Sequence, residues 1–300
     1  MLIGFESIKS TLLSHYKNNK LHHAILLHGK KGIGKASFIK EFVGDIFGGT
    51  LNNHPDFLII EKEAEKKEIS VDKVRKINDF INQTSAISKD KFILIDSACQ
   101  LNKSSSNAIL KILEEPHSNN YLILISHNLN RILPTIRSRC QIHKINDLSF
   151  EDFKNILLKK NPSLSNDQVR FLSEICDNSI ADAIEFEKEL IKLYSGFLQS
   201  LKNQKLDESF LKTIADKNFS FLIFERIFTF FANRLIKFIN NFSVNFFFNE
   251  EEIFLKLIQK FKSDEIFLIV DESLFLLNKT ISVNLDKKTA VINIFNHFLK

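Results

Sequence analysis

Residues 24–35 decide the fold of the first half of the chain, and they read AILLHGKKGIGK. The first five of these residues form a short apolar run, which is typical of a strand buried on both faces. The run is followed by the spacing GxxxxGK, with Gly29, Gly34 and Lys35 at the motif positions and Gly32 between them. A helical pattern begins at the motif lysine. Strand, glycine-rich loop and helix in this order predict a phosphate-binding P-loop, because glycines turn backbone N–H groups inward and the helix N-terminus adds a favourable dipole.

Three further apolar runs of four or five residues follow this first one: Phe57–Ile60, Phe92–Ile95 and Tyr121–Ile125. Helical patterns lie before and between the runs, and we predict helices over residues 5–18, 35–47, 71–84 and 104–115. Strands that are apolar throughout and alternate with helices predict a parallel sheet covered by helices. Residues 1–145 are therefore predicted to form an α/β domain with right-handed crossovers.

The strand patterns stop near residue 146. Short helices are predicted over residues 149–160, 166–176 and 179–194, and long amphipathic helices from about residue 196 onward. We therefore predict three domains: an α/β domain over 1–145, a small helical domain over 146–195 and an all-α domain over 196–300.

Composition narrows the class of protein. The 300 residues are 44% hydrophobic and 26% charged, which excludes a largely disordered chain. The net charge of +5 is too small to indicate a dedicated nucleic-acid-binding protein. Three widely spaced cysteines predict neither a disulfide framework nor a metal site, and they favour a reducing, cytoplasmic compartment. We expect no signal peptide and no membrane partner, since no stretch reaches the roughly 20 apolar residues of a membrane span.

The predicted phosphate site lacks two groups that ATP hydrolysis needs. After Lys35 comes Ala36, where an active P-loop carries Ser or Thr to hold Mg²⁺. Ser37 cannot replace it, because one residue along a helix is a rotation of roughly 100°. Asp96 ends the third apolar run as a Walker B Asp does, but Ser97 follows it, and serine is a poor general base. These residues favour a phosphate loop kept for architecture or weak nucleotide binding over an active hydrolase.

Three motifs outside the P-loop carry a family resemblance. Residues 54–56 read HPD, residues 107–116 read NAILKILEEP, and residues 129–140 read LNRILPTIRSRC. Together with the P-loop and the weak Walker B segment, they resemble the delta prime family of bacterial DNA polymerase III clamp-loader subunits, in the AAA+ superfamily. The resemblance is dense over residues 20–145 and thinner beyond. It implies an AAA+-like first domain, a small helical lid domain and a helical collar domain for oligomerisation.

The departures from the family pattern bear on which cofactors are expected. Many relatives carry a four-cysteine zinc module between the P-loop helix and HPD, whereas residues 43–53 are short and contain no cysteine, so no zinc is expected. The family usually places a sensor arginine before Ala-Leu in the second domain. Asp182 stands at that position here, and a carboxylate repels phosphate. Ala36, Ser97 and Asp182 thus each stand where a residue needed for ATP hydrolysis is usual. The resemblance therefore implies a subunit that requires no cofactor and retains at most weak binding of ATP or ADP.

The segment 129–140 ends in the motif SRC, at residues 138–140. The resemblance implies a catalytic role in trans for Arg139 of this motif. An arginine finger of this kind stabilises charge that develops on the γ-phosphate bound by a neighbouring subunit. The alternative is that Arg139 pairs with a local carboxylate and is purely structural. Scattered basic residues could also follow the DNA backbone without reading bases, although a solvated surface explains them equally well. The candidates for facing DNA are Lys103, Lys111, Arg131 and Arg137.

The function implied by the resemblance is that of a non-hydrolysing stator in a hetero-pentameric clamp loader, which places the sliding clamp on primed DNA. The expected partners are the gamma or tau ATPase subunits, the delta subunit, primed DNA and, indirectly, the sliding clamp. Two other functions stay open: an active ATPase motor subunit of the same superfamily, and a stand-alone nucleic-acid-binding protein. ATP turnover by the chain alone would favour the former, and tight, steeply salt-dependent DNA binding the latter.

Overall fold

The computed structural model describes residues 3–49, 51, 53–63, 66, 68–216, 219–283 and 285–299. Residues 50 and 52, inside the segment expected to lack a zinc module, are outside this description. The chain divides into two compact units. The N-terminal unit is Met1–Ile156 with Asn178–Ala181, and the C-terminal unit is Leu157–Asp177 with Asp182–Lys300.

The first half of the chain alternates helices and strands. In chain order, the elements up to residue 160 are α1 (Glu6–Lys17), β1 (Ala24–His28), α2 (Lys35–Phe47), β2 (Phe57–Ile60), α3 (Val71–Asn82), β3 (Lys91–Ile95), α4 (Lys103–Glu114), β4 (Asn120–Ser126), α5 (Pro134–Arg137), β5 (Gln141–Lys144) and α6 (Phe150–Lys160). Single 3₁₀ turns follow β3 and β4, at Ala98–Gln100 and Leu129–Arg131.

The strands form one parallel sheet in the order β2-β3-β4-β1-β5. β1 lies inside the sheet, with Ala24 opposite Leu122 of β4 and Ile25 opposite Gln141 of β5. Its first four residues are fully buried, as are most residues of β3. Because all strands are parallel, their carboxyl ends share one edge of the sheet and their amino ends share the other. The predicted α/β class is confirmed.

Most elements of this unit agree with the prediction, but one strand was missed. The four apolar runs are β1 to β4, and α2 has the predicted bounds. β5 is an edge strand, and its residues QIHK are alternately half-buried and exposed. It therefore contains no apolar run, which is the signal on which the prediction of buried strands depends.

The HPD segment holds two loops together through hydrogen bonds. The carboxylate of Asp56 is buried and accepts hydrogen bonds from the backbone N–H groups of Ala86, Ile87 and Ser88 at 2.8, 2.9 and 2.7 Å. Burial alone would raise the pKa of Asp56, but the three N–H donors outweigh it and hold the pKa below its ordinary value. The motif thereby anchors the entry to β2 against the chain that leads into β3.

The rest of the chain is helical, as predicted. The helices after residue 160 are α7 (Asn166–Ile175), α8 (Ile180–Lys202), α9 (Glu208–Ala215), α10 (Phe221–Ile239), α11 (Glu250–Lys260), α12 (Ser263–Val283) and α13 (Lys287–His297). α8 continues past the predicted end at residue 194, so the boundary predicted at 195 falls inside a helix; the division into three domains stays a prediction. Among the described residues, no helix combines the length and apolar character needed to cross a membrane.

The C-terminal unit has a phenylalanine-rich core around one buried ionic network. Arg234 of α10 is 5% exposed and donates to both carboxylate oxygens of Glu250, at 2.8 and 2.7 Å. It also pairs with Glu174 at 2.7 Å, and its guanidinium lies 4.9 and 4.5 Å from the ring centroids of Phe230 and Phe247. A buried charge with several hydrogen-bonded partners of opposite charge is tolerated, whereas the same charge without them is costly.

Removing the guanidinium should therefore destabilise the chain. We expect Arg234→Met to lower the free energy of unfolding by about 3–5 kcal/mol, because it leaves Glu250 buried and uncompensated. Lys202→Met is the matched control. Lys202, on α8, forms an ion pair at the surface, 2.7 Å from Glu252, which lies on the same helix as Glu250, α11. The control should lose less than about 1 kcal/mol. Urea unfolding measures both, and equal losses would show that the network adds no net stability.

Candidate functional site

The predicted phosphate loop connects β1 to α2 at the carboxyl edge of the sheet. Gly32 and Gly34 have φ of 80° and 98°, in the left-handed region that favours glycine. A Cβ on Gly32 would lie 1.9 Å from Oγ of Ser179, so a larger residue does not fit there. At the start of the loop, Gly29 donates its N–H to the carbonyl of Ser126 at 3.2 Å. The backbone thus has the glycine-dependent turn that the motif predicts.

Lys35 is held inside this loop. Its side chain is almost fully buried, and Nζ donates to the carbonyl oxygens of Gly29, at 2.9 Å, and of Lys30. Burial lowers the pKa of Lys35 to about 8, although Asp96 acts in the opposite direction. The ammonium group is therefore a desolvated cation with only neutral hydrogen-bond acceptors, and a phosphate oxygen would be a better partner for it.

Two neighbouring positions at the same edge differ from those of an active P-loop ATPase. Ala36 offers no hydroxyl, and Ser37 is exposed. Asp96 directly follows β3, where its N–H donates to the carbonyl of Ile60 at 2.9 Å. Ser97 has a left-handed backbone with φ of 62°, and its hydroxyl donates to Asp96 at 3.4 Å. The residues present fit a phosphate at the loop lysine, but position 36 supplies no oxygen ligand for Mg²⁺.

A distant segment contacts the loop, and no pattern in the sequence indicated it. Residues 178–181 belong to the N-terminal unit although they follow α7. The N–H of Ala181 donates to the carbonyl of Gly32 at 3.0 Å, beside the close approach of Ser179 described above. The loop is therefore covered by chain from outside the predicted α/β domain.

His127 is a second residue at this edge that the motifs did not single out. It follows β4, and its ring lies 3.3 Å from Sγ of Cys99. Burial, with help from Lys35 and Lys31, lowers the pKa of His127. The available signal was its position directly after the fourth apolar run, because the carboxyl ends of parallel strands meet at one edge.

Asp182 forms an ion pair within the C-terminal unit. Its Oδ2 accepts from Nη2 of Arg226, on α10, at 2.6 Å. The carboxylate predicted at the sensor position therefore has a cationic partner of its own.

Arg139 lies at the amino edge of the sheet, between α5 and β5. Its Nη2 lies 2.9 Å from Oε1 of Glu114, the last residue of α4, and its Nη1 donates to the carbonyl of Thr135 at 3.0 Å. The pair is open to solvent, with 37% of the arginine side chain and 51% of the glutamate side chain exposed. The local carboxylate foreseen as an alternative partner is therefore present, at an exposed position that costs little to rearrange.

The four candidates for facing DNA are distributed over α4 and the chain after β4. Lys103 and Lys111 are exposed on α4, and Arg131 is exposed in the 3₁₀ turn after β4. Arg137 is half-buried at the end of α5, which packs against α4. All four lie in the N-terminal unit, and their role in binding DNA stays a prediction.

Burial disfavours the thiolate form of two of the three cysteines. Cys99, Cys140 and Cys176 are free thiols, and burial raises the pKa of Cys140 and of Cys176 to about 12. Over the described part of the chain, no three His, Cys, Asp or Glu side chains are grouped as a metal ion would require.

A parallel sheet of order β2-β3-β4-β1-β5, with a P-loop after β1 and an aspartate after β3, defines an AAA+-like P-loop domain. The solved structure of a DNA polymerase III gamma subunit-related protein from Thermotoga maritima shares this fold and the helical region after it. Its TM-score is 0.50 at 21% sequence identity, covering 99% of this chain and 98% of that chain.

Sequence comparison narrows the class to a family. Residues 5–149 match the family model described as DNA polymerase III, delta subunit. A DNA polymerase III subunit delta prime from Pseudomonas aeruginosa is 36% identical, covering 39% of this chain and 41% of its own. A DNA polymerase III subunit gamma from Buchnera aphidicola is 31% identical, covering 67% and 60%. The chain thus spans 41% and 60% of the lengths of these curated relatives. These matches support the resemblance to the delta prime subunits of DNA polymerase III.

The buried lysine of the P-loop should reduce stability at neutral pH. We expect Lys35→Met to raise the free energy of unfolding by about 1–3 kcal/mol at pH 7, because the folded pKa of about 8 lies well below that of a free lysine. Between about pH 8 and 10.4 the unfolded chain binds more protons, so the wild type becomes more stable and the difference shrinks. Urea unfolding at pH 7, 9 and 10 measures it.

Lys40→Met, at an exposed position of the same helix α2, is the control and should show neither effect. A loss of stability in Lys35→Met at pH 7 would mean that the bonds to the loop carbonyls outweigh the cost of burying the charge.

The exposed pair at Arg139 should contribute little to folding. We expect Arg139→Ala and Glu114→Gln each to change the free energy of unfolding by less than about 1 kcal/mol. Arg75→Ala is the matched control, because Arg75 pairs with Asp72 at 3.0 Å on the surface of α3. A loss of more than about 2 kcal/mol in Arg139→Ala alone would support the purely structural role.

Proposed function

We propose that this chain is a non-hydrolysing subunit of a DNA polymerase III clamp loader, which helps to load the sliding clamp onto primed DNA. Its partners would be the gamma or tau ATPase subunits and the delta subunit, with the helical C-terminal region contributing to assembly. The family-model match over residues 5–149 and the similarity to gamma and delta prime subunits support this role.

The observation that carries the non-hydrolysing part is the residue set around Lys35. The P-loop lysine and Asp96 stand at the positions of an ATPase, but Ala36 and Ser97 supply neither a Mg²⁺ ligand nor a general base. The left-handed backbone of Ser97 adds a second obstacle, since a bulkier residue there would be strained. This arrangement supports weak nucleotide binding through the loop without turnover.

The proposed contribution to catalysis comes from Arg139, acting in trans on nucleotide held by a neighbouring subunit. A guanidinium has a fixed charge and a forked geometry that suit the γ-phosphate. Arg139 is about one-third exposed and is held by an ion pair at the surface, so exchanging Glu114 for a phosphate partner breaks no buried contact. The exposed basic residues on α4 and after β4 would follow the DNA backbone in the same complex.

Activity of the chain alone separates the stator from the motor. We expect no ATP turnover by the isolated chain, and none by Ala36→Thr, because restoring a Mg²⁺ ligand does not supply the missing base. Steady-state phosphate release with primed DNA and clamp measures both proteins. Turnover by the wild type that disappears in Lys35→Ala would establish the alternative, an active motor subunit.

Turnover of a complex reconstituted with the partner ATPase subunits tests the arginine finger. At the one site that would face this chain, Arg139→Ala should slow hydrolysis by about 10³–10⁵, as for other arginine fingers. Arg139→Lys should be nearly as impaired, since it keeps the charge and loses the fork. Arg75→Ala should match the wild type. An assembled complex whose Arg139→Ala form turns over normally would show that Arg139 is not a finger.

A further inference from the structure

The amino edge of the sheet has a cavity of its own, opposite the P-loop. Its volume is about 460 Å³, and it opens where the chain enters β1 and β5. These strands are paired in parallel, with Ile25 opposite Gln141, so the residues before each of them lie side by side. The cavity is lined by His22 and His23, which precede β1, by the SRC segment before β5 and by the end of α1.

The lining of this cavity is basic. Five of its residues carry basic side chains, and no carboxylate is among the lining residues. We call these five the basic pocket: His15, Lys20, His22, His23 and Arg139. Lys20 and Arg139 carry the fixed positive charges, although Arg139 lies 2.9 Å from Glu114. Burial lowers the pKa of His23, so this ring contributes as an N–H donor and not as a charge. A concave site with such groups attracts anions. The basic pocket therefore suits an anion.

Polar atoms at this pocket lack partners inside the chain. Nδ1 of His15 and Nε2 of His23 are buried and make no hydrogen bond with any described residue. Buried polar groups are nearly always hydrogen-bonded, so exceptions that share one cavity indicate a ligand. His22 is already oriented, because its Nδ1 lies 2.7 Å from the carbonyl oxygen and 3.1 Å from the backbone nitrogen of Ala24, and its ring stacks on His23 at 4.4 Å. Lys20 makes no ion pair with a described residue, so its ammonium group is available.

We propose that the basic pocket binds the terminal phosphates of a nucleotide, with Lys20 and the pair His22 and His23 as ligands beside Arg139. This inference rests on the proposed function, in which the nucleotide belongs to a neighbouring subunit. It assigns the finger three accompanying phosphate ligands. Ammonium, guanidinium and imidazole N–H groups all donate to phosphate oxygens.

Phosphate could also come from a DNA backbone, but the shape of the site favours a nucleotide. Its cationic and imidazole groups gather around one open concavity of about 460 Å³, which suits a short phosphate chain, whereas a duplex needs charges spread along a surface. The exposed candidates for facing DNA, Lys103, Lys111 and Arg131, do not line this cavity.

Binding of tripolyphosphate by the full chain tests the pocket without partner subunits. The experiment uses Lys35→Ala as the parent protein, so that the P-loop does not contribute, and measures affinity by calorimetry. We expect Lys20→Ala to weaken binding by about tenfold or more, the size expected for one charged hydrogen bond. Lys17→Ala, an exposed lysine in the last turn of α1, is the control and should bind like the parent.

Proton NMR of the wild-type histidines provides a second test, which does not depend on whether a variant folds. In the wild type, proton NMR signals of His22 and His23 should shift on adding tripolyphosphate, and that of exposed His117 should not. Shifts absent at His22 and His23, or equal binding by Lys20→Ala and its parent, would overturn the proposal. Lys20-dependent binding of a short DNA duplex that competes with tripolyphosphate would overturn the assignment to a nucleotide.

The reconstituted complex connects the pocket to the neighbouring subunit. We expect Lys20→Ala to raise the KM for ATP with a smaller effect on kcat than Arg139→Ala. If Arg139→Ala lowers turnover and Lys20→Ala leaves both constants unchanged, the proposed function stands and this inference fails. If neither variant changes turnover while the isolated chain still binds tripolyphosphate through Lys20, the arginine finger fails, and the pocket is a phosphate site with another source of ligand.

Discussion

The uniform direction of the strands is the constraint on which the rest of the N-terminal unit depends. In a parallel sheet the two edges differ chemically, because one collects the residues that follow strands and the other collects the residues that precede them. β1 has partners on both sides, so its five residues form a stiff spacer of roughly 16 Å between the edges. Gly29 directly follows β1 at one edge, and His23 directly precedes β1 at the other. The residues at one edge, such as Ala36, are therefore held apart from those at the opposite edge.

Two buried cations illustrate how a fold distinguishes a structural charge from a charge that awaits a ligand. Burial would lower the pKa of Arg234, but Glu250 and Glu174 outweigh this effect, and the pKa is raised. Lys35 has only carbonyl oxygens as hydrogen-bond partners, and its pKa is lowered. A cation that is satisfied by carboxylates stabilises one conformation, whereas a cation that is desolvated among carbonyls gains from an incoming anion.

The sequence was most informative where one local pattern carries the whole signal. The apolar runs predicted β1 to β4, and the glycine spacing predicted the loop, because both depend on neighbouring residues alone. β5 was missed because an edge strand with one exposed face lacks an apolar run. The contact of Ser179 with Gly32 joins residues about 150 positions apart, and no periodicity encodes such a pairing. The partner of Arg139 was foreseen only as some local carboxylate; that it is Glu114 depends on how α4 and α5 pack.

The strand order also has a consequence for synthesis on the ribosome. β1 is made before either of its neighbours in the sheet, since Ala24 pairs with Leu122, 98 residues later. At about 5–20 residues per second, the fully apolar start of β1 waits roughly 5–20 s for β4 to be translated. During that interval it is an unpaired strand, exposed to non-native pairing. The phosphate loop and the amino edge then form in the same late event, and a nascent chain that stalls before β4 contains neither.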